Sequence, residues 1–363
     1  MADDLYAPVK ALRHLDIIEH TKAGDPARPA HLHLVPSDAC NQNCAYCAYR
    51  DPTYTSSQKF LPEDGSRPRR MLPTAKVLEI LDDCVALGIR AVQFTGGGEP
   101  TMHPEIGVML AGCLDRGLEY AVVTNGTLVE HKGLVDLLAR ATWCRFSVDA
   151  ADMVAYAKQR GVPELHCLAA WSAVAAVAAA RDRLHTDCVV GTSCIVGPDN
   201  WKGLDALAVK AKASGSDNLS LAPQFTATGA ALFDGCLDDV LKACESATKH
   251  SAPGFDVINR VPERIQEMQW GQPITPLCGY SFFTPFIGAD ANVYRCCVLS
   301  YNDLGLIGNI SDKRFSELWM NDDRAADMIG FNATGCERCP YQAQNRTLQI
   351  AMQKEDVKHG NFV

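Results

Sequence analysis

The feature that most restricts the fold is a regular alternation of short apolar runs with helical runs, which begins at "AHLHLV" (30–35). A helix is predicted from Thr74, "TAKVLEILDDCVALG", because Leu78, Leu81 and Val85 recur at helical spacing before a stop at Gly88. Strand "AVQF", helix "PEIGVMLAGCLDRG", strand "EYAVV", helix "HKGLVDLLAR" and strand "WCRFSV" follow. An Ala-rich helix at about 164–183, strand "DCVVGTSCIV", helix "WKGLDALAVKAKASG" and strand "NLSLA" complete six strand–helix units. Such alternation implies α/β architecture, a parallel sheet wrapped by helices, with chemistry at the carboxyl ends of its strands. The order is expected to break near residue 230. From 270 onward turns and cysteines predominate, which predicts a small appended domain.

Composition narrows the setting. The chain has 363 residues, 47% hydrophobic, enough for a large core and a second small unit. No run of 18 apolar residues occurs, and "MADDLYAPVKALRHLD" has no signal-peptide core, so a soluble, cytoplasmic protein without a membrane partner is expected. A net charge of −9 weakens non-specific attraction to nucleic acid and anionic membranes. Sixteen cysteines without a secretion signal read as reduced thiols, so clustered ones are read as metal ligands.

Three of them stand in "CNQNCAYC" (40–47), directly after the first strand. Cys40, Cys44 and Cys47 have the spacing to hold three irons of a [4Fe–4S] cluster and leave the fourth iron open. A structural zinc site would need a fourth ligand beside this run, and none stands there. Chance core packing is disfavoured because Asn41, Gln42 and Asn43 between the cysteines are polar.

CxxxCxxC with Tyr46 before its last cysteine resembles the signature of the radical S-adenosylmethionine (radical SAM) superfamily. "FTGGGEP" (94–100) resembles that family's glycine-rich motif, which implies that Gly96, Gly97, Gly98 and Glu99 hold the methionine amino group of SAM. Glycines permit close backbone approach, and Glu99 supplies an anion for an ammonium. "TNGT" (124–127) and "RFSVDA" (145–150) end the next two strands, and the resemblance places Asn125, Ser147 and Asp149 near the SAM carboxylate and ribose. Cap or turn roles are the alternative for these three. The resemblance covers roughly 28–230 and implies a partial (β/α)6 TIM-like barrel.

A second cysteine set, Cys278, Cys296, Cys336 and Cys339, resembles the Twitch domain, a shortened SPASM domain that holds one auxiliary [4Fe–4S] cluster. A zinc ribbon is the rival reading, since four cysteines ending in CxxC also suit tetrahedral zinc. Cys297 could exchange roles with Cys296, although the 18-residue spacing from Cys278 favours Cys296. As a spare thiol, Cys297 is a candidate hydrogen donor, against the plainer reading of a small buried residue. The other eight cysteines lie mostly in apolar runs and read as core.

The expected organisation is therefore a lead-in (1–27), a radical SAM partial barrel (28–230), a helical linker (231–269), a small C-terminal Twitch-type α+β domain (270–345) and a tail (346–363). The resemblance implies reductive cleavage of SAM to a 5′-deoxyadenosyl radical that abstracts hydrogen, with electrons from an external one-electron reductant such as flavodoxin or ferredoxin. Three substrate classes arise. A ribosomal peptide is disfavoured because only about 30 residues precede the first strand. A sugar or aminocyclitol fits a one-cluster dehydrogenase or epimerase. A modified nucleoside or DNA base is suggested by the loop 50–73, where Arg50, Lys59, Arg67, Arg69 and Arg70 accompany Tyr54 and Phe60, although a solvated surface loop is the plainer reading. The chain, with its ending "HGNFV", also resembles phage-encoded radical SAM isomerases of thymine hypermodification, which would act in the host cytoplasm. Isomerisation of a glycinyl-thymidine type nucleoside is thus the first expectation, and a non-enzymatic iron–sulfur or zinc binding module the most distant.

Overall fold

Each apolar run becomes a strand with one face toward the helices and one toward a lumen, in a computed structural model that describes residues 7–51, 59–226, 228–273 and 275–352. In β1 (His31–Leu34) the side chains of Leu32 and Leu34 are fully buried in the main core, while His31 and His33 line an inner cavity. The parallel series continues with β2 (Ala91–Phe94), β3 (Glu119–Thr124), β4 (Trp143–Ser147), β5 (Val189–Val196) and β6 (Asn218–Pro223). Around them lie α1 (Leu15–Ala23), α2 (Thr74–Leu87), α3 (Ile106–Asp115), α4 (Val135–Leu138), α5 (Met153–Arg160), α6 (Leu165–Leu184) and α7 (Leu204–Ala213). Buried Ala170, Ala173 and Ala180 give the Ala-rich α6 a thin inner face against the sheet side of the core.

Three features depart from the expected organisation. The stretch 231–269 is not purely helical: between α8 (Leu237–Thr248) and α9 (Val261–Trp270) it contributes β7 (Asp256–Asn259), parallel to β6. Apolar Val257 and Ile258 are too few to signal a strand by themselves, and pairing with β6 supplies the rest. The segment "HKGLVDLLAR" forms only the single turn α4, whereas α5, capped by Asp152 through Ala155 N, has no counterpart in the expected series.

The third departure concerns the C-terminal unit, which shares the sheet of the barrel. It comprises α10 (Tyr280–Phe283), β8 (Phe286–Ile287), β9 (Asn292–Tyr294), β10 (Leu306–Asn309), α11 (Phe315–Trp319), α12 (Asp322–Gly330) and α13 (Gln342–Met352). The strand order is β10-β9-β8-β1-β2-β3-β4-β5-β6-β7. Strand β8 runs parallel to β1, pairing Phe286 with His33 and Ile287 with Leu34, and the β8–β9–β10 pairs are antiparallel. Strands β1 and β7 are not neighbours, so the barrel is open. Buried Asp83 on α2 binds Arg314 and Ser316, and Trp319 Nε1 donates to Ala27 O at 2.8 Å, which locks α11 onto the barrel. The lead-in from residue 7 and the tail to residue 352 are structured too, since α13 packs on α1 and on a 3-10 helix, Pro8–Arg13. The ending "HGNFV" lies outside the described residues. Among the described residues no single helix is long and apolar enough to cross a membrane.

Candidate active site

The loop after β1 carries Cys40, Cys44 and Cys47 at the carboxyl end of the sheet, each half-buried. Burial pushes the Cys40 thiol up to about 12, with nearby Glu99 adding to the rise, and burial likewise raises Cys47. An iron–sulfur core would offset this desolvation, because thiolates are its ligands. The loop hangs on α5: Asn43 N donates to Arg160 O at 2.8 Å and Ala45 N to Gln159 O at 3.1 Å. Gly161 ends α5 at φ +58°, where a Cβ would lie 2.8 Å from Asn43 O, so only glycine allows this approach.

Buried polar groups fix the loop from below. Arg160, 4% exposed, pairs through Nη2 with Asp149 Oδ2 at 2.6 Å and through Nη1 with Gln42 Oε1 at 2.9 Å. Gln42 Nε2 donates to Tyr156 OH at 3.0 Å, and Tyr46 OH donates to Asp149. Asp149 Oδ1 accepts from Ile195 N at 2.9 Å. Its carboxylate thus holds Tyr46, Arg160 and the Ile195 amide in place. Gln42 and Arg160 are the site residues that sequence reasoning missed. The Asp152 cap and Gly161 signal the helix, but nothing local signals where its arginine points.

The glycine run serves close approach, to this chain's own loop. A Cβ on Gly98 would lie 2.3 Å from Ala39 O, and one on Gly97 would lie 2.4 Å from the Phe60 ring and 2.7 Å from Asp38 Oδ1. One on Gly96 would collide with Gly98 O. Glu99 is 3% exposed: Oε1 accepts from Thr101 N, Thr101 Oγ1 and Thr124 Oγ1 at 3.0, 2.7 and 2.6 Å, and Oε2 from Asn125 N at 2.7 Å. Oε2 thus keeps capacity for one further donor. Asn125 Nδ2 donates to Asn41 Oδ1 at 2.8 Å, which ties the end of β3 to the cysteine loop. Ser147, half-buried, stands in register with Ser193 on β5.

The loop 50–73 is not a free basic surface. Arg70 binds Asp38 Oδ2 at 2.7 Å and Phe60 O at 2.7 Å, Lys59 pairs with Asp303, and Arg50 donates to Asn43. Phe60 is 1% exposed, packed with Tyr49 and Tyr301, so it offers no stacking face; Arg67 and Arg69 are exposed, and Tyr54 lies outside the described residues. Tyr301 OH also donates to Asp38, joining the C-terminal unit to the residues before Cys40.

Cys278, Cys296, Cys336 and Cys339 line one pocket together with Arg295, Arg338, Tyr280, Tyr341 and Asn345. Burial pushes Cys336 and Cys339 up to about 12 and raises Cys278 and Cys296. Among the described residues no three potential ligands are gathered closely enough to enclose a single metal ion. Four thiols around one pocket are the donor set that a [4Fe–4S] cluster takes. Cys297 is not among the residues lining this pocket, and its Sγ is hydrogen-bonded to Tyr341 OH at 2.9 Å. Of the eight remaining cysteines, seven are buried and Cys236 is half-buried.

Inside the barrel, cavities of about 690, 530 and 260 Å³ share Lys10 and Gln93 in their walls. The largest of the three lies at the amino ends of the strands, away from the cysteine loop, and is lined by Lys10, Arg13, Arg28 and Arg90 with Glu119 as its one acid among the described residues. Arg145, Arg260 and Arg264 line the second cavity, which also reaches Tyr280 and Tyr341. Arg28, Arg260 and Arg264 pair with Asp16, Glu263 and Glu267.

Residues 34–202 match the radical SAM superfamily, and residues 278–340 match an iron–sulfur cluster-binding domain of the SPASM type. A GTP 3',8-cyclase of Rhodococcus opacus is 35% identical over 135 residues, 35% of this chain and 34% of that protein, so the match spans about a third of the relative's length. A tungsten-containing aldehyde ferredoxin oxidoreductase cofactor-modifying protein of Pyrococcus furiosus is 23% identical over 316 residues, 80% of this chain and 81% of that protein. In fold, the chain resembles Streptococcus suis SuiB bound to S-adenosylmethionine, with TM-score 0.63 and 17% identity over 92% of this chain and 75% of that one. SuiB bound to its precursor peptide SuiA gives 0.62 and 17% over 94% and 77%. A peptide-bound protein shares the fold, so the expectation against a peptide substrate finds no support in it.

Proposed function

Because the chain carries a radical SAM domain followed by a SPASM/Twitch-type iron–sulfur domain, we propose that it is an enzyme that rearranges a phosphate-bearing, nucleoside-type substrate by hydrogen abstraction. Its cofactors are SAM, a [4Fe–4S] cluster and an auxiliary iron–sulfur cluster. When bound, SAM and the first cluster supply a 5′-deoxyadenosyl radical. Cys40, Cys44 and Cys47 would hold that cluster, and Cys278, Cys296, Cys336 and Cys339 the auxiliary one. Arg160, Gln42 and Asn125 keep the cysteine loop in place; Glu99 would take the amino group of SAM through its remaining acceptor capacity, and Ser147 would serve its carboxylate and ribose.

The observation that carries the substrate class is the cationic lumen in a chain whose net charge is −9. A four-residue strand is about 13 Å long, so the guanidiniums at the amino ends and the cysteine loop at the carboxyl ends are separated by about the length of a nucleotide. His31 and His33, pushed by burial down to about 4 and about 3, stay neutral, and buried His33 Nδ1 has no hydrogen-bond partner among the described residues. The cyclase relative bears GTP in its name, which agrees with this class. Within it, an isomerisation that moves glycine on a thymine from nitrogen to carbon attachment leaves the substrate's oxidation level unchanged, and a glycyl α-carbon radical is a stabilised one.

Dehydrogenation or epimerisation of a sugar or aminocyclitol is the second reading, favoured by one contact: Cys297 is hydrogen-bonded to Tyr341, and Tyr341 lines the lumen. The test is anaerobic incubation with SAM, flavodoxin and an oligonucleotide whose thymine bears an N-linked glycine. A product of unchanged mass with a new carbon–carbon bond is expected. Inertness toward every phosphate-bearing nucleoside, with loss of two mass units from a neutral sugar, would overturn the reading.

A further inference from the structure

The pocket of Cys278, Cys296, Cys336 and Cys339 is lined by Arg295 and Arg338 and, among the described residues, by no carboxylate. Arg295, between β9 and Cys296, is 5% exposed. Its guanidinium lies 4.4 Å from the Phe331 ring centroid, Nη1 reaches Met328 Sδ at 2.9 Å, and Nη2 pairs with Asp327. Arg324 on α12 does not line the pocket; it is equally buried, lies 4.5 Å from the centroid of Trp319, and among the described residues has no hydrogen-bond partner for Nε or Nη2. Burial, and next the charge of Arg295, push Arg324 down to about 10. Two buried cations therefore share one carboxylate, and the Asp327 side chain is 54% exposed.

An uncompensated buried cation is costly unless an anion stands near it. Four thiolates around an oxidised [4Fe–4S] core carry a formal charge of about −2, and reduction adds one more negative charge. The sulfur of Cys339 also accepts from Tyr341 N at 3.4 Å and Asn345 Nδ2 at 3.7 Å. Hydrogen bonds to sulfur and nearby positive charge both favour the reduced form. We infer that Arg295 and Arg324 act as a cationic pair that raises the reduction potential of the auxiliary cluster and so equips it to accept an electron. Both are positioning residues. The step is a one-electron reduction whose electron comes from the first cluster, the substrate or an external donor, and no bond is made or broken. The inference rests on the iron–sulfur reading of the four cysteines.

The test is an EPR-monitored redox titration of the reconstituted full-length protein, with iron and sulfide analysis. The auxiliary signal is the one that SAM leaves unchanged. Arg324→Met should lower the reduction equilibrium constant at least tenfold, which is 59 mV for one electron. Arg324→Lys, which keeps the charge, should stay within threefold of wild type, and Asp327→Asn should shift the potential upward. Unmoved potentials in Arg324→Met and Asp327→Asn, or shifts of both in one direction, at wild-type iron content, would overturn the inference. If Arg324→Met fails to take up iron, Asp327→Asn decides: an upward shift supports the pair and an unchanged potential refutes it. Wild-type protein with four irons and a zinc would instead overturn the iron–sulfur reading itself.

Discussion

Replacing Asp149 by Asn should destabilise the apoprotein by about 3–5 kcal/mol, the cost of removing one partner from a buried ion pair. The side chains of Arg160 and Asp149 are 5% and 1% exposed and meet at 2.6 Å, so neither water nor salt screens the pair effectively. The amide that replaces the carboxylate would offer one acceptor oxygen in place of two, while Ile195 N, Tyr46 OH and Arg160 Nη2 all need one. The guanidinium would then remain buried without a counter-charge, still bonded to Gln42 in the cysteine loop. Against a total stability of about 5–15 kcal/mol this is a large fraction. Denaturant unfolding of the apoprotein measures it, and a cycle with Arg160→Met should return a coupling of about 2 kcal/mol or more, because the double variant leaves no orphaned charge. Iron uptake should fall in Asp149→Asn and recover in part in the double variant. A cost below about 1 kcal/mol with additive cycle energies, together with weakened SAM binding, would refute this reasoning and return Asp149 to the ligand role expected from its motif.

Three further outcomes are expected. Reconstituted protein should hold about eight irons, and joint replacement of Cys40, Cys44 and Cys47 by Ala should leave about four and abolish SAM cleavage; metal analysis and 5′-deoxyadenosine assays check both. Gly98→Ala should cost about 1–3 kcal/mol by overpacking and loosen the first cluster, since the added Cβ meets Ala39 O at 2.3 Å; unfolding and iron retention would show it. Burial pushes Asp38 up to about 6 against the pull of Tyr301 and Arg70, so its folded form binds a proton that the unfolded form has lost. Its contribution should therefore be greatest below pH 4 and diminish as pH rises through 6, by at most about 3 kcal/mol. Wild type minus Asp38→Asn stability, followed from pH 4 to 7, should fall and then level off.

Sequence alone determined the features whose causes are local. Strand–helix alternation, the cysteine spacing after β1 and the glycine run all lie within windows of a few residues, where periodicity, ligand reach and backbone space can be counted. It also placed Cys278, Cys296, Cys336 and Cys339 in one group, although they span 62 positions, because a likeness to a known arrangement linked them. Tertiary structure decided which of the polar residues are spoken for. Phe60 looked like a stacking surface until Tyr49, Tyr301 and Gly97 enclosed it, and only the fold brings Arg160 and Tyr46 to the Asp149 carboxylate. The same holds for the shared sheet: β8 is two residues long and is a strand only because β1, some 250 positions earlier, offers it an unpaired edge. Charge segregation in the lumen is likewise invisible along the chain, since Lys10, Arg90, Arg145 and Arg264 are scattered in sequence and meet only when the sheet curls. Desolvation acts on groups that folding brings together, and a partner 263 residues away, as Tyr301 is from Asp38, leaves no local trace in the residues it will neutralise or bury.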